Sequence, residues 1–402
     1  MRTQHWLPLL AAAWLCPATA PAEPLTLAQA QALAAGHHPL LAAAAREIDA
    51  SDGALRQAAA RPNPALTAQV EDLRADQRTT TATLDIPLEL GGKRAARIAA
   101  AERGRDLARA ELAARQAELA ARVAADFHAV LAAQQRVALT RDAVDLVRRM
   151  AEATGRRVAA GKLSPVDESR ARVELAQAEL EASEAAAELD AARLALAAQI
   201  GDTALRFDSV DGDLRTPQRV APADLLAALE TSPALAPARR DVDRRRAAIG
   251  VERSKASPDL TLSVGSKRAN DLGRTQAVIG FSLPLPLFDR NQGGVQEASA
   301  RAAQAEDTLQ ATRLALAAEL QQAGARLALA NQSLQALQAT VLPAAEQALD
   351  AARRGFEAGK FGLLDVLDAQ RALIQARQRQ LHQLAAAHQA AAVIDRILPS
   401  TP

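Results

Sequence analysis

The sequence predicts an α+β membrane protein in which long α-helical coiled-coil hairpins form an α-barrel. Four β-strands per chain contribute to a shared 12-stranded trimeric β-barrel above it. Three observations lead there. The chain is internally duplicated, each half holds two runs that alternate apolar and polar residues, and each half holds a helical run with apolar residues every seven positions.

The duplication sets the frame. Pro39 and Pro233 are 194 residues apart, and so are Pro64 and Pro258, each within matching local sequence (Asn63-Pro64-Ala65-Leu66-Thr67 against Ser257-Pro258-Asp259-Leu260-Thr261). Ala160-Gly161-Lys162-Leu163 recurs as Ala358-Gly359-Lys360-Phe361 at a spacing of 198. The reading divides the chain into a signal peptide, 1–22, a first repeat, 23–220, and a second repeat, 221–402.

The alternating runs come in pairs. Leu66, Ala68 and Val70 interleave with Thr67, Gln69 and Glu71, and Ala82, Leu84, Ile86, Leu88 and Leu90 with Thr81, Thr83, Asp85, Pro87 and Glu89. The second repeat offers Leu260, Leu262 and Val264, then Ala277, Ile279, Phe281, Leu283, Leu285 and Leu287. Period two with unlike faces is the mark of a strand with one apolar and one polar side. After each pair comes a long helical pattern, Arg94 to about Ala159 and Gln292 to Leu342. Val123, Val130, Val137 and Val144, and in the duplicate Leu320, Leu327, Leu334 and Val341, repeat every seven residues, which is a coiled-coil seam. A Gly-Lys turn and a return helix follow each, Val166 to Ile200 and Leu363 to Ile397.

Closure decides the assembly. Strand edges facing lipid leave backbone N–H and C=O groups without partners at several kcal/mol each, and four strands cannot close. Two chains would give a barrel of about eight strands plugged by its own side chains, whereas three give twelve and a water-filled lumen, so a homotrimer is expected. No stretch after the N-terminal segment has the eighteen or so uncharged apolar residues of a spanning helix, so any membrane role uses strands.

The first 22 residues carry a basic start at Arg2, an apolar run from Trp6 to Cys16 and a small-residue end at Ala20-Pro21-Ala22, the pattern of a secretory signal cleaved after Ala22. Cys16, the only cysteine, falls within it, and Leu15 and Pro17 beside it argue against lipid attachment. Without Arg2 the formal charge goes from +1 to 0, with both signs mixed along the helices, which excludes a nucleic-acid partner. One feature runs against a bacterial barrel: residues 23–402 contain no Tyr and no Trp, the residues that usually girdle one.

Together the duplication, the junctions Leu88-Glu89-Leu90-Gly91-Gly92-Lys93-Arg94 and Pro284 to Gly294, and the run Gly359 to Gln370 resemble the TolC-like outer-membrane factors over essentially the whole mature chain. The two junctions are similar to those of the CzcC-like heavy-metal branch, which serves cobalt, zinc, cadmium or copper efflux. The resemblance implies a trimer in the outer membrane of a Gram-negative bacterium with a long periplasmic part. It also implies partners: a periplasmic adaptor and, through it, a proton-driven resistance-nodulation-division pump in the inner membrane. In that family the hairpin tips meet the adaptor. The matching positions are Gly161, Lys162, Leu163 and Ser164, with Gly359, Lys360, Phe361 and Gly362. The family also narrows at its periplasmic mouth with carboxylates after the second tip, which fall on Asp365 and Asp368; the first repeat has Asp167 but Arg170 in the later place.

Other motifs have plainer readings. Gly91-Gly92-Lys93 lacks the Ser or Thr of a phosphate loop, since Arg94 stands there, and reads as a strand-to-helix turn. His37, His38, His128, His382 and His388 show no ligand spacing, so no metal site is expected. No cofactor fingerprint or catalytic set appears, so the chain is not expected to be an enzyme. Asp365 and Asp368, three apart on one helix face, also fit a solvated N-terminal turn. Two rivals remain: a drug-efflux or type I secretion duct of the same fold, and a periplasmic coiled-coil scaffold with a soluble sheet.

Overall fold

Both halves of the chain run through helix, strand pair, long helix, turn and return helix. The computed structural model describes residues 24–72, 74–202, 207–219 and 225–399. The expected signal, Cys16 and the expected boundary at 220/221 lie outside the described residues. In the first half, β1 (Leu25–Thr26), α1 (Leu27–His37) and α2 (Pro39–Ala59) lead to β2 (Ala65–Glu71) and β3 (Thr79–Leu88), then α3 (Lys93–Ala159) and α4 (Pro165–Ile200). The first also holds β4 (Val210–Asp211), and the second has α5 (Leu225–Glu230), α6 (Ala236–Ser254), β5 (Leu260–Ala269), β6 (Arg274–Ser282), α7 (Gln292–Ala336), a π-helical turn (Leu337–Val341), α8 (Leu342–Glu357) and α9 (Leu363–Ile397).

The two hairpins join through β3 and β5 into one antiparallel sheet ordered β2-β3-β5-β6. Its register puts Leu66, Leu84, Val264 and Ile279 in one row across the four strands, and these apolar side chains are all exposed. The opposite face is polar. Asp85 stands opposite Ser263, and its carboxylate accepts hydrogen bonds from the Thr67 and Ser263 hydroxyls at 2.6 and 2.5 Å. Strands β2 and β6 each keep one edge unpaired within the chain, among the described residues.

The strands are shorter than the alternation suggests. The apolar phase continues to Leu90 and Leu287, but β3 ends at Leu88 and β6 at Ser282. Pro284 and Pro286 supply no N–H to a ladder, and Gly91 and Gly92 at φ +68° and +71° turn the chain into α3. A parallel pair, Leu25 with Val210 and Thr26 with Asp211, has no signal in the sequence.

The helices follow the seven-residue pattern closely. Val123, Val130, Val137 and Val144 are buried along α3, which at about 1.5 Å per residue is roughly 100 Å long. On the same helix the buried Thr140 and Thr154 return their hydroxyls to its own carbonyls, on Arg136 O at 3.1 Å and Met150 O at 2.9 Å. Alanines fill much of the interior, among them Ala185, Ala302, Ala330 and Ala387. In the second repeat Leu320, Leu327 and Leu334 are buried as expected, but Val341 is 42% exposed. The π-helical turn is the cause. Pro343 has no N–H to donate, and Leu342 N–H reaches back five residues to Leu337 O, so one extra residue is absorbed. The buried series Ala323, Ala330, Leu337 accordingly resumes at Ala345 and Ala352, one residue late.

The histidines have two kinds of setting, at a helix junction and between helices. His38 caps α2, its Nδ1 accepting from Leu40 N–H at 3.2 Å, and His37 bonds Leu33 O at 3.1 Å. His128 of α3 and His388 of α9 stack, ring centroids 3.7 Å apart and 13° from parallel. Their planes do not aim two nitrogens at a common point, and among the described residues no three His, Cys, Asp or Glu side chains gather as a metal site. His128 Nδ1 lies 2.7 Å from Ala124 O, which requires the proton on that nitrogen. The segment 207–219 lies alongside, and its Arg219 guanidinium bonds both Asp395 carboxylate oxygens at 2.7 Å. Burial, then the neighbouring ring, pushes the His388 imidazole down to about 4, and burial lowers His128 as well.

A stability consequence follows. Above the ordinary His value of 6.5 both rings are neutral whether folded or not, and the pair imposes no proton-linked penalty. Below it the unfolded chain takes up protons that folded His388 refuses until about pH 4, so stability falls over that window. Thermal unfolding of the purified protein should show a lower midpoint at pH 4.5 than at pH 7.5, and His388→Gln, which removes the titrating group, should reduce that difference; an unchanged difference would show that other groups govern it.

Candidate functional site

Both hairpins turn by the same backbone device. After Ala159, Ala160 caps α3, Gly161 N–H bonds Val158 O at 2.9 Å, and Lys162 N–H bonds Arg157 O at 2.8 Å. This paired pattern with a left-handed residue between is the Schellman motif, and Gly161 has φ +70°. At the second tip Gly359, φ +73°, bonds Phe356 O at 3.1 Å, and Lys360 N–H bonds Gly355 O at 2.8 Å. A Cβ at either glycine would meet nothing within 4 Å, so only the backbone angle calls for glycine there.

The return helices begin alike too. Ser164 caps α4, its Oγ accepting from Val166 N–H at 3.2 Å, Pro165 takes the first helical position, and Asp167 Oδ2 accepts from Ser164 N–H at 3.3 Å. That is a capping box with aspartate in the glutamate's place. In α9 the Asp365 carboxylate accepts from Gly362 N–H at 2.8 Å, so Asp365 is the counterpart of Asp167. Asp368 differs: its side chain is 72% exposed, and its nearest ionic partner is Arg371 at 3.7 Å. The two carboxylates that sequence spacing groups together therefore have unequal local duties.

The tips lie side by side. Ala171 of α4, Ala352 and Phe356 of α8, and Leu363, Val366 and Leu367 of α9 form one apolar cluster, with Met150 and Ala151 of α3 against it. The Arg157 guanidinium sits 4.3 Å from the Phe356 ring centre, tying the end of α3 to the end of α8. Arg371 joins α9 to α4 through Glu174, with one contact at 3.1 Å. Above the cluster Met150, Leu349, Val366 and Leu373 line a groove of about 590 Å³, rimmed by Arg149, Arg353, Glu346 and Asp350.

The expected tip residues thus occupy two adjacent turns. Lys162 and Lys360 are exposed, Leu163 is half-buried, and Phe361 is half-exposed with its ring on Gly355. A Cβ on Gly355 would come within 2.1 Å of that ring, so Gly355 is a seat that the sequence reading missed. A glycine inside a helix six residues before an aromatic was its only signal, and a faint one. Arg157, Glu174 and Arg371 were also missed, because each acts across helices far apart in sequence.

Comparison with known proteins places this architecture. Residues 31–202 and 225–399 match the family described as Outer membrane efflux protein. The chain is 50% identical to the cobalt-zinc-cadmium resistance protein CzcC of Cupriavidus metallidurans over 378 residues, 94% of this chain and 90% of that protein. It is 32% identical to the nickel and cobalt resistance protein CnrC of the same organism, over 75% of this chain and 74% of that one. Its fold matches the outer-membrane channel OprN with a TM-score of 0.80 and 19% identity, over 93% of this chain and 90% of that one. With both repeats matched and half of the 378 aligned residues identical to a relative covered over 90% of its length, the chain belongs to the outer membrane efflux protein family.

Proposed function

We propose that this chain is the outer-membrane channel of a tripartite resistance-nodulation-division efflux system, and that it exports heavy-metal cations of the cobalt, zinc and cadmium kind. The observation that carries the cargo is the 50% identity to a cobalt-zinc-cadmium resistance protein across nearly the whole chain. A drug-efflux or secretion duct would share the fold but has no such support. Free edges on β2 and β6 support assembly, since three copies joined edge to edge make a closed barrel of twelve strands with the row of Leu66, Leu84, Val264 and Ile279 toward lipid and the Asp85 face toward water. The helical hairpins of the two repeats, 23–220 and 221–402, extend into the periplasm after removal of residues 1–22. The paired tips, Gly161 to Ser164 and Gly359 to Gly362, dock the periplasmic adaptor. Asp365 and Asp368 ring the entrance; Asp365 is fixed as a cap, and exposed Asp368 supplies the less constrained charge.

Deleting the gene should lower tolerance to zinc, cobalt or cadmium while leaving tolerance to organic antibiotics unchanged, as growth in graded concentrations would register. The reverse pattern would make it a drug duct.

Val in place of Gly161 or Gly359 forces a β-branched residue into the left-handed region, a strain of about 1–3 kcal/mol confined to the turn. The variants should keep the mass of three chains in detergent yet lose resistance and adaptor crosslinking. Loss of the trimer as well would make the turns structural only.

Asp365→Asn with Asp368→Asn should reduce preference for cations over anions, because carboxylates around a narrow low-dielectric opening concentrate cations. Raising the salt should erase the difference, as the Debye length falls from about 10 Å at 0.1 M to about 3 Å at 1 M. Reversal potentials in planar bilayers under asymmetric salt measure this, and identical preferences at low salt would move the entrance elsewhere.

A further inference from the structure

The lipid-facing phase of the strands does not stop where the hydrogen-bonded ladder stops. From Ile279 and Phe281 the same alternation runs on through Leu283 and Leu285 beyond the end of β6, across Pro284 and Pro286. A tight turn, Leu287 N–H to Leu285 O at 2.9 Å, then brings Leu287 and Phe288 to the surface. Leu285 is 71% exposed, Leu287 66% and Phe288 91%. The first repeat adds Leu88 and Leu90, also exposed, at its own strand-to-helix junction. So dense an apolar surface is unusual on a water-facing loop.

Polar groups frame this segment on the helix side. Arg290 follows two residues after Phe288, its Nε donating to Pro286 O at 3.2 Å, and Arg94 opens α3 with its Nε on Ala59 O at 2.7 Å; both side chains are exposed. The two acids among these residues are both engaged: Asp289 accepts from Asn291 N–H at 2.8 Å, and Glu89, between Leu88 and Leu90, accepts from Arg97 at 3.1 Å. Apolar side chains followed by exposed arginines match the change from acyl chain to phosphate headgroup at a bilayer boundary. The composition bears on the same point, because residues 23–402 contain neither Trp nor Tyr.

We propose that Leu283 to Phe288, with Leu88 and Leu90, is the belt that seats the barrel in the phospholipid leaflet facing the periplasm, with Arg290 and Arg94 on its phosphates. Leucine and one phenylalanine here take the place of the aromatic girdle. The inference rests on the membrane-channel reading above and adds where the bilayer ends. It requires these side chains to meet lipid rather than a neighbouring copy of the chain.

The missing tryptophans make the test clean, since both in the sequence, Trp6 and Trp14, lie in the expected signal and one introduced indole then reports alone. Phe288→Trp and Ile279→Trp are each reconstituted in phosphatidylcholine–phosphatidylglycerol vesicles whose acyl chains carry bromine either near the headgroup or deep. The expected result is that Phe288→Trp loses at least about twofold more fluorescence to shallow than to deep bromine, as an interfacial indole does, and that Ile279→Trp shows the opposite order. If Ile279→Trp is quenched and Phe288→Trp is insensitive to both lipids, the belt is overturned while the channel stands. If neither is quenched, the strands do not face lipid, and the membrane reading falls together with the belt.

Discussion

A helix of 67 residues gains nothing from its backbone hydrogen bonds that a shorter one would not gain per residue, and its length is sustained only by what lies along its side. For α3 that is the set of helices packed along it at different heights, α1, α2, α4, α6 and α9, and the buried stripe through Val123, Phe127, Val130, Val137 and Val147. The stripe is continuous because its spacing matches the supercoil, and because its two polar members, Thr140 and Thr154, satisfy themselves within the helix. The sheet at one end and the tips at the other are held in relation by this one element. The second repeat has an unbroken helical run of comparable length, 292–357, whose hydrogen bonding changes register at the π-helical turn between α7 and α8.

Most of this was legible from residue order. Period two gave the four strands of the large sheet, period seven gave the helices, and the recurrence of Gly-Lys turns gave the tips. What escaped has a physical reason in each case. Val341 kept the spacing but not the burial, because Pro343 forces a change of helical hydrogen bonding that hydrophobic spacing does not record. Alternation past Ser282 persisted without a ladder, since apolar phase and backbone pairing are separate properties and proline ends only the second. The stacking of His128 on His388 joins residues from different repeats, which no local pattern can announce.

The tips show how a duplicated device diverges. Their Schellman turns and aspartate caps agree almost bond for bond, yet the first tip has Arg170 where the second has Asp368, and Leu163 where the second has Phe361 seated on Gly355. Backbone requirements have been kept in both copies, while the exposed chemistry differs. Arg157 on Phe356 and Arg371 on Glu174 hold these unlike surfaces side by side, so a partner would meet them as one composite face.

The alanines of the helical interior have a consequence for how this molecule can change. Where Ala185, Ala302, Ala330 and Ala387 let backbones approach, truncation removes almost nothing, whereas any added carbon must push two helices apart. Apart from glycine, every residue that could replace alanine is larger. Mutation at these alanines will therefore damage the molecule by overfilling it, the opposite of the cavities left by truncating its buried valines and leucines.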